Sequence, residues 1–205
     1  VKGYMAGSTA ALKVELAERF DELNVPGDPL STDAMRLVAE AILTNGGDID
    51  DAQAQAAGAI AGTDRLVAVT GPAGTGKTTM LRVANRALAM QGRRLIVVAP
   101  TKKAASVAGR EIGTTASSIH ALLADHGWRW GRDDAGAATW TRLSAGQPDP
   151  STGIVFAGPT RYPVSPGDRI VVDEAGMVDL YTAKALAELV TETGSGLAMV
   201  GDHLQ

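Results

Sequence analysis

Short apolar runs alternate with amphipathic stretches along most of the chain. Runs of β-prone residues at 66–70, 95–99, 169–172 and 196–200 predict buried strands. The stretches between them carry apolar residues at helical spacing. They predict helices over 77–90, 102–112 and 179–192, and a short helix beginning within 114–127. Strands that alternate with helices are typical of an α/β fold with a parallel sheet and right-handed crossovers.

The first 62 residues have a different pattern. Helical periodicity predicts three helices, over 12–23, 34–43 and 51–62, separated by the breakers VPGDP and NGG. Their one candidate for chemistry is Gln53. Residues 1–62 are therefore expected to form a helical appendage to an α/β domain that spans 63–205.

Residues 127–166 are irregular and interrupt the α/β pattern. Gly, Pro, Asp and Thr are frequent there, and the segment holds all three tryptophans, Trp128, Trp130 and Trp140. WRW and TWTRL predict a hairpin around GRDDAGAA. Two interpretations of the tryptophans stay open. They anchor the insertion on the domain, or they stack on bases of single-stranded nucleic acid.

Composition excludes several classes of protein. The chain has 205 residues, of which 45% are hydrophobic and 20% charged, so a globular core is expected. Without cysteine, disulfides and cysteine-ligated zinc are excluded, which fits a cytoplasmic location. No apolar run approaches the length of a membrane span, so no membrane partner is expected. Val1 is not an initiator methionine, which indicates a piece of a longer chain.

Charge is distributed unevenly. Residues 1–64 hold four basic and eleven acidic side chains, whereas 65–124 hold nine basic side chains and a single acidic one. One bound nucleotide does not need nine cations. The excess is therefore as well explained by a polyanionic partner as by a phosphate site alone.

The motif G-x-x-x-x-G-K-T follows the first strand and precedes a predicted helix. This is the context of a phosphate-binding P-loop, in which glycines turn the backbone N–H groups toward an oxyanion. Lys77 is expected to reach the β- and γ-phosphates, and the Thr78 hydroxyl to ligate Mg²⁺. The predicted nucleotide-binding residues of the loop are Gly71, Pro72, Ala73, Gly74, Thr75, Gly76, Lys77, Thr78 and Thr79.

Carboxylates follow a second strand, and an amide follows a third. Asp173 and Glu174 end the apolar run Ile170–Val172, at the strand end where α/β sheets bind ligands. Asp173 is expected to hold Mg²⁺ and Glu174 to polarise an attacking water. Gln205 follows the last strand and is a candidate to position that water or to bond the γ-phosphate.

Further polar residues stand where the second strand ends. Thr101, Lys102 and Lys103 open a predicted helix, in a position suited to bonding phosphates. Ser118 and His120 follow in SSIH. Considered alone, a single histidine is more often structural than functional, so both interpretations of His120 stay open.

Together these motifs resemble the first motor domain of a superfamily 1 helicase of the RecD-like group. GPAGTGKTT resembles motif I, APTKKAA motif Ia, VVDEAGM motif II and GDHLQ motif III, while SSIH resembles a T-I-H element used at single-stranded DNA. The resemblance implies a RecA-like P-loop domain that uses ATP and Mg²⁺. It also implies that Gln53, or less favourably Gln55, reads adenine, and that Ser118 and His120 contact DNA with the motif Ia residues.

The form D-E-A-G-M is similar to the helicase part of conjugative relaxases of the TraA/TrwC/TraI type, whereas the RecD exonuclease subunit usually has D-E-A-S-M. The resemblance implies the strand order 95–99, 169–172, 197–200, 66–70. It further implies a second RecA-like domain beyond residue 205 that supplies an arginine, and relaxosome proteins as partners. Residues 1–205 alone are then expected to bind nucleotide without turning it over. The alternatives are a RecD-type exonuclease or repair helicase subunit, and a nucleotide-dependent switch that does not move along DNA.

Overall fold

The chain folds around one parallel β-sheet with helices on both faces. The computed structural model describes residues 7–43, 47–71, 74–132, 136 and 138–201. The main sheet has five strands, and a separate hairpin has two. No helix within those ranges is long and apolar enough to cross a membrane. The RecA-like α/β fold implied by the resemblance is confirmed.

The elements follow the predicted alternation closely. The helices are α1 Gly7–Leu23, α2 Thr32–Ile42, α3 Asp51–Ala61, α4 Lys77–Met90, α5 Lys102–Ile112, α6 Ile119–Asp125 and α7 Leu180–Thr193. The strands are β1 Leu66–Thr70, β2 Leu95–Ala99, β3 Thr115–Ser118, β4 Trp128–Arg132, β5 Ala138–Arg142, β6 Arg169–Asp173 and β7 Gly196–Gly201. A short 3₁₀ turn, Ala175–Met177, separates β6 from α7.

The strands of the main sheet lie in the order β1-β7-β6-β2-β3, and all neighbours are parallel. The predicted order of four strands is confirmed. The prediction missed the fifth strand, β3, because it placed the start of a helix within 114–127. The sequence TASS has no apolar alternation, and its extended shape comes from pairing with β2. The helix in this segment begins only at Ile119.

Both faces of the sheet are covered, which explains the unbroken apolar runs of its central strands. Leu95 and Val97 of β2 pack in one hydrophobic cluster with α2, α3 and α4. Ile96 and Val98 point to the opposite face, where a second cluster includes α6 and α7. Leu23, at the end of α1, is buried in that second cluster.

The helices α2 and α3 pack directly against the nucleotide-binding half of the sheet. Met35 of α2 and Ile60 of α3 share a hydrophobic cluster with Val67 of β1 and Met80 of α4. All four side chains are buried. The division of the chain at residue 62 stays a prediction, but α3 on its amino-terminal side lies in the same core as the sheet.

A buried guanidinium fixes the carboxyl end of α3. The side chain of Arg169, the first residue of β6, is fully buried. Its Nε donates to the carbonyl of Ile60 at 2.8 Å, and its Nη2 donates to that of Gly62 at 3.1 Å. Burial, together with neighbouring Arg93, lowers the pKa of Arg169 to about 10. The last carbonyls of a helix carry partial negative charge, so a cation stabilises them.

The predicted hairpin in the insertion is confirmed, with β4 antiparallel to β5. Trp128 is only 4% exposed and lies in the second hydrophobic cluster. The guanidinium of Arg142 lies 3.7 Å from the centroid of the Trp128 ring and pairs with Glu192 of α7. Trp128 therefore anchors the insertion, as one of the two interpretations of the tryptophans predicted.

A second group of contacts holds the part of the insertion that follows the hairpin. Asp149 is buried and accepts hydrogen bonds from Ser151 and from the Nε of Arg129. The hydroxyl of Ser151, together with the Arg129 guanidinium, lowers the pKa of Asp149 to about 2. The segment after β5 is thus tied back to β4 by an ionised carboxylate.

We expect Arg169→Met to lower the free energy of unfolding by roughly 1–3 kcal/mol, because the Ile60 carbonyl loses its guanidinium donor, whereas the Gly62 carbonyl still accepts from Arg93. Chemical denaturation followed by circular dichroism measures the change. Arg82→Met, at an exposed position of α4, is the matched control and should change stability by less than about 0.5 kcal/mol. Equal stability of the two variants would contradict the role given to Arg169.

Candidate nucleotide and nucleic-acid site

The parallel sheet brings the predicted motifs to one edge. The P-loop follows β1, Asp173 ends β6, Gly201 ends β7 and Thr101 follows β2. The carboxyl ends of parallel strands meet at the same edge, and ligands of open α/β sheets bind there. Motifs that are far apart in the sequence therefore face a common space.

The P-loop has the backbone that its glycines predict. Gly74 and Gly76 are left-handed, with φ of 82° and 76°, and α4 begins at Lys77 immediately afterwards. The N–H of Gly71 donates to the carbonyl of Gly201 at 3.0 Å, which fixes the start of the loop to β7. Pro72 and Ala73 lie outside the described residues.

Gln53 joins α3 to the P-loop. Its Nε2 donates to the carbonyl of Thr75 at 2.8 Å, and its Oε1 accepts from the backbone N–H of Asp50 at 3.0 Å. The Asp50 carboxylate accepts in return from the N–H of Gln53, which completes a capping box at the start of α3. A Cβ at Gly76 would lie 2.3 Å from the Nε2 of Gln53, so a side chain there would displace the amide, and the left-handed φ of 76° itself favours glycine.

The Gln53 amide keeps capacity for a further ligand. An amide group offers two N–H donors and two oxygen lone pairs. Each end of Gln53 makes one of the two hydrogen bonds described, so each end retains one more. Gln55, the weaker candidate, is exposed on α3 and does not line the cavity beside the P-loop.

Two cavities meet at Lys77. The first, of about 260 Å³, lies beside α3 and combines an amide with apolar side chains; its lining includes Gln53, Gly71, Thr75, Val69 and Met80. The second, of about 400 Å³, is lined by apolar residues such as Leu81, Val107 and Ile112 as well as by polar ones. We call it the polar cavity after Thr78, Thr101, Lys103, Asp173 and Glu174 in its lining. Lys77 lines both. The arrangement suits a ligand with a flat, partly apolar end and an anionic end.

The Lys77 ammonium is available to an anion. Within the part of the chain that the structure describes, its side chain makes neither an ion pair nor a hydrogen bond. The Thr78 hydroxyl and the Asp173 carboxylate line the same cavity. Hydroxyl and carboxylate oxygens are the donors that Mg²⁺ prefers, so this pair fits the ion. Thr79 lies in the first turn of α4 and is half-buried.

Glu174 is held in an unusual backbone conformation. With φ of 58° and ψ of 43°, it is the one described non-glycine residue in the left-handed region. The preceding carboxylate, Asp173, accepts a hydrogen bond from the Glu174 N–H at 3.1 Å. The strand therefore ends at Asp173, and Glu174 lines the polar cavity. Strained residues of this kind cluster at functional sites.

The end of β7 packs close to that turn. A Cβ at Gly201 would lie 3.5 Å from the Ala175 nitrogen and 3.6 Å from the Gly176 nitrogen. The residues that follow Gly201, including the candidate Gln205, lie outside the described residues. The role expected for Gln205 therefore stays a prediction.

The candidate DNA contacts stand at the starts of neighbouring helices. Thr101 caps α5 by accepting from Ala104, and Ser118 caps α6 by accepting from Ala121. The two positions are adjacent because β2 and β3 pair in parallel, with Ala99 opposite Ser118. Each hydroxyl keeps its own proton to donate to a phosphate.

The two lysines of this segment point to different surroundings. Both Lys102 and Lys103 are exposed. Lys103 also lines the polar cavity with Lys77 and Asp173, whereas Lys102 does not. Lys103 therefore has a second candidate role, at the nucleotide, beside the DNA contact predicted for it.

His120 belongs to an aromatic cluster that the sequence analysis did not find. Its ring centroid lies 4.7 Å from that of Trp130 and 6.1 Å from that of Trp140. Trp140 in turn lies 6.3 Å from Tyr181, with the two ring planes only 6° apart. Trp130 and Tyr181 are 44% and 40% exposed. The four rings form the aromatic surface, which connects α6, the hairpin and the start of α7.

Asp179 caps α7 beneath this surface. Burial raises its pKa, but hydrogen bonds from the hydroxyl and N–H of Thr182 and the N–H of Tyr181, together with the nearby charge of His120, outweigh burial and leave the pKa below its usual value. The carboxylate therefore stays ionised and holds the first turn of α7 beside His120.

Comparison with known proteins agrees with this geometry. A family model described as an AAA domain matches residues 48–205, which include α3 and the whole main sheet. A probable conjugal transfer protein TraA of Sinorhizobium fredii (strain NBRC 101917 / NGR234) is 30% identical over 168 residues, 82% of this chain. The conjugal transfer protein TraA of Agrobacterium fabrum (strain C58 / ATCC 33970) is 28% identical over 159 residues, 78% of this chain.

In both relatives the matched region is 12% of the protein, so the chain spans about an eighth of their length. The family match covers more than half of this chain, and the P-loop, the strand order and the D-E-A-G-M turn agree with it. The chain belongs to the AAA domain family, as a helicase-type domain of the RecD-like group related to conjugal transfer proteins.

Proposed function

We propose that the chain is the ATP-binding first motor domain of a DNA helicase that unwinds DNA during conjugal transfer. The observation that carries the proposal is the polar cavity, which Lys77 and Thr78 of the P-loop motif line together with Asp173, at the end of β6, and Glu174, immediately after it. A P-loop faced by two carboxylates at the end of another strand of the same sheet is the arrangement of nucleotide hydrolases. The similarity to the TraA proteins favours conjugation over the RecD-type exonuclease and repair alternatives.

The two cavities fit the two ends of ATP. In this proposal adenine lies against Val69 and Met80, with its amino edge toward Gln53. The triphosphate follows the P-loop N–H groups to the Lys77 ammonium. The Thr78 hydroxyl and the Asp173 carboxylate would hold Mg²⁺, which supplies positive charge to the β- and γ-phosphate oxygens.

Glu174 is the proposed general base. Its left-handed backbone directs the carboxylate into the polar cavity, next to Asp173 but not along the strand. There it accepts the proton of a water that attacks the γ-phosphorus, while the bond to the leaving oxygen breaks in line. Gln205 and an arginine from a second RecA-like domain are proposed to complete the site, because one domain contributes groups from one side only.

Single-stranded DNA is the proposed polymer ligand. Thr101, Lys102 and Ser118 offer donors to phosphates at one edge of the polar cavity, and His120 continues that line to Trp130. Lys77, Lys102 and Lys103 give this edge positive charge for the same partner, whereas Arg65, Arg93 and Arg94 lie at the amino ends of β1 and β2, on the opposite edge of the sheet. Relaxosome proteins are proposed as further partners of the conjugal transfer protein.

We expect Lys77→Ala to weaken Mg-ATP binding by about 30-fold or more, because the triphosphate loses its nearest fixed cation. Glu174→Gln should bind Mg-ATP normally but hydrolyse it about 10² to 10⁴ times more slowly in the complete helicase, because the general base is lost and Asp173 remains. Calorimetry and a steady-state ATPase assay with single-stranded DNA measure the two effects. Nucleotide affinity that is unchanged in Lys77→Ala would refute the site.

We expect Gln53→Ala to reduce the preference for ATP over GTP by roughly 10-fold, because a glutamine amide pairs with the N6 and N7 edge of adenine. Competition of each nucleotide against a fluorescent ATP analogue measures the preference. Gln55→Ala, on the exposed side of the same helix, is the matched control and should leave it unchanged. The reverse result would assign adenine reading to Gln55.

We expect Lys102→Ala with Lys103→Ala to weaken single-stranded DNA binding by the complete helicase and to make its salt dependence shallower. Each lost phosphate contact should reduce the slope of log K against log salt concentration by about 0.7. The single variants separate the two lysines, since only Lys103→Ala should also weaken Mg-ATP binding. A double variant with unchanged DNA affinity at low salt would exclude this surface.

A further inference from the structure

Two aromatic rings face each other where the hairpin meets α7. Trp140 comes from β5 and Tyr181 from the first turn of α7, and their planes are parallel to within 6°, with centroids 6.3 Å apart. Both rings line a cavity of about 150 Å³. Its rim is polar and includes Thr141, Lys184 and Glu188. We call this the Trp140–Tyr181 slot.

We propose that the Trp140–Tyr181 slot binds an unpaired nucleobase of single-stranded DNA, a site that rests on the proposed DNA-binding function. Every base has a flat aromatic face that can stack on the exposed side of this ring pair. A base would not enter between the rings as they stand, because centroids 6.3 Å apart are closer than the roughly 7 Å that a base stacked on both sides needs. The rim adds the Thr141 hydroxyl. The Lys184 ammonium is paired with Glu15 and the Glu188 carboxylate with Arg19, so these two groups offer a base edge only their remaining donors and acceptors. An aliphatic side chain of a protein would use the faces but not this rim.

The slot continues the proposed DNA path. Trp130 lies 5.6 Å from Trp140 and 4.7 Å from His120, ring centroid to ring centroid. His120 follows the Ser118 cap by two residues. A strand whose phosphates lie along the starts of α5 and α6 therefore meets the aromatic surface and then the slot, so successive bases have successive rings on which to stack.

Attachment of the hairpin to the domain does not require Tyr181. Trp128 is buried in the core, and the Arg142 guanidinium covers its ring and pairs with Glu192 of α7. The Tyr181 side chain, by contrast, is 40% exposed, and its hydroxyl makes no hydrogen bond within the described part of the chain. An exposed ring held parallel to a second ring is available to a ligand.

The test separates bases from phosphates. Fluorescence anisotropy would measure binding of the full chain to an oligothymidylate of about 12 nucleotides, and to an abasic oligomer with the same number of phosphates. Wild type should prefer the oligothymidylate. Tyr181→Ala should weaken oligothymidylate binding by about 10-fold and leave binding of the abasic oligomer unchanged. Tyr181→Phe keeps the ring and should bind both as wild type does.

Mg-ATP affinity is the folding control, because Tyr181 lies outside both nucleotide cavities. A Tyr181→Ala variant that binds Mg-ATP normally and loses affinity for both oligomers equally would overturn the slot, since the ring would then act through the phosphate path. Equal oligothymidylate affinity in wild type and Tyr181→Ala would also overturn it, and the proposed helicase function would stand. If wild type bound neither oligomer, the slot and the DNA-binding proposal would fall together.

Discussion

The position of β7 between β1 and β6 determines the geometry of the candidate site. Neighbouring strands lie about 4.8 Å apart, so the strand ends that carry the P-loop and Asp173 are separated by roughly 10 Å. Direct pairing of β1 with β6 would halve that distance. The strands pair in register, which places Thr70 opposite Gly201 and Asp173 opposite Val200. The carboxyl ends of β1, β7 and β6 therefore lie side by side at one edge of the sheet.

The helix α3 and the strand β6 have the same length, and together they help to position the P-loop side of the site. The eleven residues of α3 and the five residues of β6 each span about 16 Å. Arg169 at the start of β6 therefore reaches the carboxyl end of α3, while Gln53 near its amino end reaches the P-loop. Arg169 thus contributes, with the apolar packing of α3, to holding the helix that places Gln53 beside Thr75.

The local sequence pattern was sufficient to predict those elements whose signal lies within a few adjacent residues. The run LIVVA could only be a buried strand, and the P-loop glycines dictated a turn that the φ values of Gly74 and Gly76 confirm. The four predicted strands and the hairpin followed from the same kind of signal. The order of the strands came from the family resemblance and not from any local pattern.

The features that the sequence did not reveal depend on contacts between distant segments. TASS becomes a strand only because β2 offers it an edge. Arginine normally lies on the surface, so the burial of Arg169 follows from carbonyls more than 100 residues away. Tyr181 had no neighbour in the sequence to mark it, since its partner ring is supplied by the hairpin. Lys103 faces the polar cavity because of the direction in which α5 leaves the sheet.

The left-handed backbone of Glu174 lowers the stability of the fold but places a carboxylate at the candidate site. A left-handed residue with a side chain costs roughly 1–2 kcal/mol relative to glycine, and no packing at this position compensates for the loss because the side chain faces a cavity. Drift toward glycine at 174 would therefore make the domain more robust while removing the carboxylate. In the proposed mechanism, glutamate is therefore kept at 174 at a cost in stability, which comparison with Glu174→Gly in a denaturation experiment would measure.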